Sequence, residues 1–139
     1  MDVAKKFTWE AAHRLENDQG KCGNLHGHSY TMWVRLDGET NSDGMVLDFR
    51  EIKKIVSPIM SKLDHALMIC ESDEELFEFV KESGLKHYTF ANPTTSENLA
   101  EYFGNLISER LPQSLDNIDS CTVKVQETET CFAVYTTTV

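Results

Sequence analysis

Several things are missing from this 139-residue sequence, and each absence excludes a class of protein. No apolar run approaches the ~20 residues needed to span a bilayer. The opening stretch "MDVAKKFTWEAAHRL" lacks the apolar core of a secretory signal, so a cytoplasmic location is expected. There is no basic patch, and the net charge is −10. Nucleic-acid binding, which needs a cationic footprint, is therefore disfavoured. The four cysteines form no CxxC pair and no compact disulfide framework. Reduced thiols are the default, with Cys70, Cys121 and Cys131 expected to be small buried hydrophobes. Repeats, low-complexity tracts and Pro/Gly linkers are absent as well, which leaves one domain over residues 1–139.

What remains is a patterned globular chain, 40% hydrophobic and 26% charged. "KKFTWEAAHRLE" alternates, with Phe7, Trp9, Ala11, His13 and Leu15 on one face, as in a half-buried strand. "HGHSYTMWVRLDG" alternates too, and the Asn/Asp/Gly-rich loop between them predicts an antiparallel pair. Three helices follow. "DFREIKKIVSPIMSKL" is capped by Asp48 with Glu51 and should kink at Pro58. "SDEELFEFVKESG" is capped by Ser72 and stopped at Gly84. "PTTSENLAEYFGNLISERL" is capped by Thr94 with Glu97. Strands at "IDSCTVKVQE" and "CFAVYTTTV" close the chain. The expected fold is α+β: a four-stranded antiparallel sheet with helices on one face and two unpaired edges open to oligomerisation.

The chemistry gathers around "KCGNLHGHSY". His26 and His28 are two apart on a strand and share the apolar face, and His13 lies on the apolar face of its own strand. If the strands pair, three imidazoles converge, a set suited to zinc with one position left open. Cys22 lies in the preceding loop between Gly20 and Gly23. Spacing leaves two roles open for it: a fourth ligand closing the site, or a thiolate base beside the metal. Asp64 beside His65 either orients an imidazole for proton transfer or is an exposed polar pair at a helix end. Glu127 ends an apolar strand parity, and an inward carboxylate needs a partner.

Taken together and in order, "FTWEAAHRL", "CGNLHGHSY", "LDH", "PTTSEN" and "VQET" resemble the 6-pyruvoyl-tetrahydropterin synthase / 6-carboxytetrahydropterin synthase family over nearly the whole chain. That resemblance implies the tunnelling fold, in which subunit sheets join into a β-barrel with active sites between subunits. A homo-oligomer is implied, trimer-based or hexameric. His13, His26 and His28 match the zinc ligands; Cys22 matches the catalytic base; Asp64 and His65 match the rest of the triad. Glu127 matches the carboxylate that anchors the pterin ring, and Thr95 and Ser96 align with the pterin pocket. The three-residue interval between Cys22 and His26 looks like the bacterial 6-carboxytetrahydropterin synthases of queuosine biosynthesis. The implied substrate is 7,8-dihydroneopterin triphosphate. "ICESDEELFEFVKESGLKHYTFAN" is longer than the same segment in compact members, and His87 within it has no role by resemblance.

Overall fold

A computed structural model describes all of residues 1–139. The four strands expected from the sequence form the antiparallel part of the sheet: β1 (Asp2–His13), β2 (His26–Gly38), β5 (Ile118–Gln126) and β6 (Phe132–Thr138). They lie side by side in that order. Two short strands, β3 (Ala66–Cys70) and β4 (His87–Phe90), extend it. β3 pairs parallel with β1, and β4 parallel with β3. The sheet is therefore six-stranded and mixed, in the order β4-β3-β1-β2-β5-β6, and not four-stranded and purely antiparallel.

Alternation fails to reveal β3 for a physical reason: all five of its residues are buried, so it has no polar face. Its two faces meet different helices. Met68 joins the main core beneath α1 (Phe49–Leu63) and α3 (Ser96–Arg110). Leu67 and Ile69 pack with Leu76 and Val80 of α2 (Glu74–Ser83) in a second, smaller cluster. Thus α1 and α3 lie on the expected face, and α2 covers the opposite face at the β3–β4 end. The long segment read from the sequence is a β3–α2–β4 crossover.

Local chemistry places the helix ends. Asp48 caps α1 by accepting from Arg50 N, while Glu51 turns away to Lys54. α1 continues through Pro58 to Leu63. The cap of α2 is Asp73 and not Ser72, since the Asp73 carboxylate accepts from Leu76 N. Gly84 stops that helix with φ 69°, the left-handed conformation that glycine tolerates best. The cap of α3 is Thr95 and not Thr94. At the centre of the main core, Trp9 stacks on Tyr30 with centroids 4.8 Å apart and meets Phe103 edge-on. α3 approaches β6 closely enough that a Cβ at Gly104 would stand 2.6 Å from the Tyr135 ring. Of the cysteines, Cys70 and Cys121 are buried as expected, but Cys131 is exposed in the β5–β6 turn.

Candidate metal centre

The β1–β2 register pairs His13 with His26 and Ala11 with His28. Directly opposed residues share a face, so the three imidazoles meet at one end of the core side of the sheet. Their ring centroids are 4.7 to 5.3 Å apart. The β5 parity that buries Val123 and Val125 continues to Glu127, whose carboxylate reaches the same point. Ligating atoms of His13, His26, His28 and Glu127 all lie within 4.8 Å of one another.

Hydrogen bonds to carbonyls decide which ring nitrogens face inward. His13 Nδ1 is 3.0 Å from the Thr94 carbonyl, and His26 Nδ1 is 2.7 Å from the Asn24 carbonyl. A carbonyl only accepts, so each Nδ1 carries the proton and each Nε2 is a donor for a metal. His13 Nε2 faces Glu127 Oε1 at 3.3 Å. Both of its nitrogens thus have an acceptor in reach, an arrangement that a cation at Nε2 would suit. His28 Nε2 is buried without a hydrogen-bond partner. Glu127 Oε1 stands 2.7 Å from it, close but misaligned. Lone pairs converging on one point without enough protons between them fit a metal ion.

The charge states agree. Burial lowers the pKa of His28, with the neighbouring imidazoles adding to it against the opposing pull of Glu127. The neutral form, which binds metal, is favoured. Glu127 is pulled down to about 2, first by hydrogen bonding with His13 and then by Ser96 and the imidazole charges, against its burial. It is a carboxylate at neutral pH. Its other oxygen accepts from Ser96 Oγ at 2.8 Å.

Cys22 lies outside this group of ligating atoms. It is exposed in a 3₁₀ turn, Lys21–Gly23, whose Cys22 carbonyl accepts from Leu15 N at 2.8 Å. A Cβ at Gly23 would stand 2.3 Å from the Asp18 carbonyl oxygen, so the turn closes only with glycine there. Asp64 and His65 stand at the end of α1, with His65 Nδ1 3.0 Å from Asp64 Oδ2. His65 is exposed and has φ 58°. A cavity of about 480 Å³ is lined by Glu10, Gly27, His28, Ser29, His65 and Lys86 among others. Cys22 is not among its lining residues.

Ser96 touches Glu127, whereas the Thr95 hydroxyl is occupied by capping Asn98 N. Two residues that sequence reasoning gave no part in the site stand beside His13. Thr94, 1% exposed, brackets Nδ1 with its carbonyl and, at 3.0 Å, its hydroxyl. The Tyr30 hydroxyl is 3.3 Å from Nε2, and burial raises its pKa, so it stays protonated. Thr94 carried only a helix-cap signal, and Tyr30 only a core one.

A family profile described as 6-pyruvoyl tetrahydropterin synthase matches residues 2–138. Among curated relatives, the 6-carboxy-5,6,7,8-tetrahydropterin synthase of Haemophilus influenzae is 30% identical, with 96% of each chain covered. That of Rickettsia conorii is 33% identical, over 95% of this chain and 97% of its own. Among solved structures, the 6-pyruvoyl tetrahydropterin synthase of Plasmodium falciparum superposes with TM-score 0.78 at 21% identity, covering 100% of this chain and 98% of its own. The Caenorhabditis elegans 6-pyruvoyl tetrahydropterin synthase gives 0.70 at 28%, covering 97% and 94%.

Proposed function

The chain belongs to the 6-pyruvoyl tetrahydropterin synthase family, and from that premise we propose that it is a zinc-dependent 6-carboxy-5,6,7,8-tetrahydropterin synthase. It converts 7,8-dihydroneopterin triphosphate to 6-carboxytetrahydropterin, acetaldehyde and triphosphate, as a cytoplasmic single-domain lyase serving queuosine biosynthesis. The observation that carries this reading is the complete His13, His26, His28 and Glu127 cluster with Cys22 standing outside it. A cysteine close in sequence to a metal site but free of it suits a base.

His13, His26 and His28 would hold the zinc, an imidazole set that it accepts well. Bound there, it supplies Lewis-acid stabilisation of negative charge developing on the substrate side chain. Cys22, as thiolate, takes a carbon-bound proton, and neighbouring positive charge favours that ionised form. Asp64 orients His65 through Nδ1, leaving Nε2 to move protons to and from substrate oxygens. Glu127 accepts paired N–H donors from the aminopyrimidine edge, with Ser96 steadying the carboxylate. Thr95, as the cap of α3, shapes the pocket wall beside it.

The absence of Cys22 from the lining of the cavity that His65 lines supports sharing between subunits, with Asp64 and His65 serving a neighbour's Cys22. The β6 edge, with Phe132 and Val134 more than half exposed, is a surface by which sheets of a trimer-based assembly, possibly doubled to a hexamer, would join.

A pyruvoyl-forming relative is the second reading, favoured by the names of the family profile and of the solved structures. The three-residue interval from Cys22 to His26 and the names of the curated relatives favour the carboxy product. Incubation with dihydroneopterin triphosphate tests both, since only the carboxy reaction releases acetaldehyde. Cys22→Ala should keep zinc and lose turnover. Loss of zinc instead would make Cys22 a ligand and leave a non-catalytic zinc module as the better account.

A further inference from the structure

We propose that the β3–α2–β4 crossover supplies a positioning residue, Lys86, which holds the Asp64–His65 corner in its working geometry. The proposal rests on the assignment of Asp64 and His65 to proton transfer given above.

The corner needs holding. His65 has φ 58°, a left-handed conformation that a side chain with a Cβ disfavours. Such a residue persists only where its surroundings over-determine it. On one side the ties come from β1: His65 N donates to Glu10 O at 2.6 Å, and Glu10 N donates to Asp64 Oδ1 at 2.9 Å. On the other side Lys86 Nζ donates to Asp64 O at 2.6 Å and to Ser61 O at 2.8 Å. Those carbonyls belong to the C-terminal end of α1, where backbone acceptors lack helical partners and the helix dipole attracts a cation. Lys86 therefore grips the carbonyl of the same peptide whose N–H belongs to His65.

The crossover is what brings the lysine there. The Lys86 carbonyl accepts from Leu67 N at 3.0 Å, just ahead of the β3–β4 pairing that begins at Leu67 and His87. α2 packs Leu76 and Val80 on Leu67 and Ile69 and so fixes the base of that pairing. Lys86 and His65 also line the same cavity. The charge is of the right sign: the Asp64 pKa is lowered first by the Glu10 amide, then by His65, with Lys86 adding to both. An ionised Asp64 is the form that can orient an imidazole N–H.

Steady-state kinetics on the zinc-loaded, full-length protein tests the role, comparing Lys86→Met, which keeps most of the aliphatic stem, with Lys86→Arg, which restores donors. Lys86→Met should lower kcat about tenfold or more, as a small misplacement of a catalytic group does. KM should change by no more than about twofold, because the ring is held elsewhere, and Lys86→Arg should recover most of the loss. In a His65→Asn background, the residual rate should be insensitive to Lys86→Met. An unchanged kcat, or an equal loss with and without His65, overturns the proposal. Full activity of His65→Asn alone would instead show that the underlying assignment has failed, and the proposal falls with it.

Discussion

The imidazole of His13 is held at Nδ1 by both oxygens of Thr94, the carbonyl and the hydroxyl each at 3.0 Å. One residue thereby sets the tautomer of His13 and the tilt of its ring. Thr94→Val removes the hydroxyl and keeps the carbonyl. Zinc affinity should fall by about tenfold, the low end of what outer partners of metal ligands contribute. Thr94→Ser should restore it. Competition against a chromophoric chelator measures both, and an unchanged affinity would leave the hydroxyl without a role.

Glu127 sits beside the imidazoles, and the proposed function gives it a competing use, holding the pterin edge. With three histidines to hold the metal, Glu127→Gln should retain zinc. It should weaken binding of a non-reactive pterin, measured in the Cys22→Ala background, by about 2 kcal/mol, the scale of a charged hydrogen bond. Loss of zinc with pterin binding intact would make Glu127 chiefly a ligand.

The Cys22 turn depends on Gly23, where a new Cβ would meet a backbone oxygen at 2.3 Å that no side-chain movement relieves. Gly23→Ala should displace the thiol and lower kcat about tenfold or more. Zinc content should be unaffected, since Cys22 lies outside the cluster. Metal analysis alongside turnover separates the two effects.

Acid stability should depend on Asp73, a buried carboxylate that caps α2 and takes two hydrogen bonds of 2.6 Å from Arg14. The Arg14 hydrogen bonds are the main reason its pKa is lowered. A lowered folded-state pKa stabilises the fold above the unfolded value, near 3.9, and that contribution is lost as pH falls through the lower folded value. Asp73→Asn should cost about 2 kcal/mol at neutral pH. The gap between the thermal unfolding curves of the two proteins should begin to close as the pH falls below about 4 and vanish only below the lower folded value. A gap that persists unchanged in acid would mean that packing, and not charge, accounts for it.

Much of the site is legible in the sequence, because strand parity is a local rule. Alternation put His13, His26 and His28 on apolar faces, and the loop between their strands implied the pairing that the register then showed. The same parity carried Glu127 inward. β1, β2 and β5 are legible for the same reason, a readable period of two, and β6 by its β-branched and aromatic composition. β3 and β4 are not, since β3 is buried on both sides and β4 has only four residues. Cap positions slipped by one at Asp73 and Thr95, where adjacent residues both carry a capping oxygen and only the backbone path chooses between them.

Sequence by itself determined which residues could serve the chemistry, since residue type and period are local properties. Tertiary structure alone decided how they are held. Thr94, 81 residues from His13, sets its tautomer, and Lys86 reaches back 22 residues to the His65 corner. Contacts at such separations depend on how strands and helices stack, and no local pattern encodes them. The cysteine of "KCGNLHGHSY" shows the division. Its spacing allowed it to be ligand or base, and it was the register of three strands, closing three histidines and a distant glutamate around one point, that left it outside the cluster.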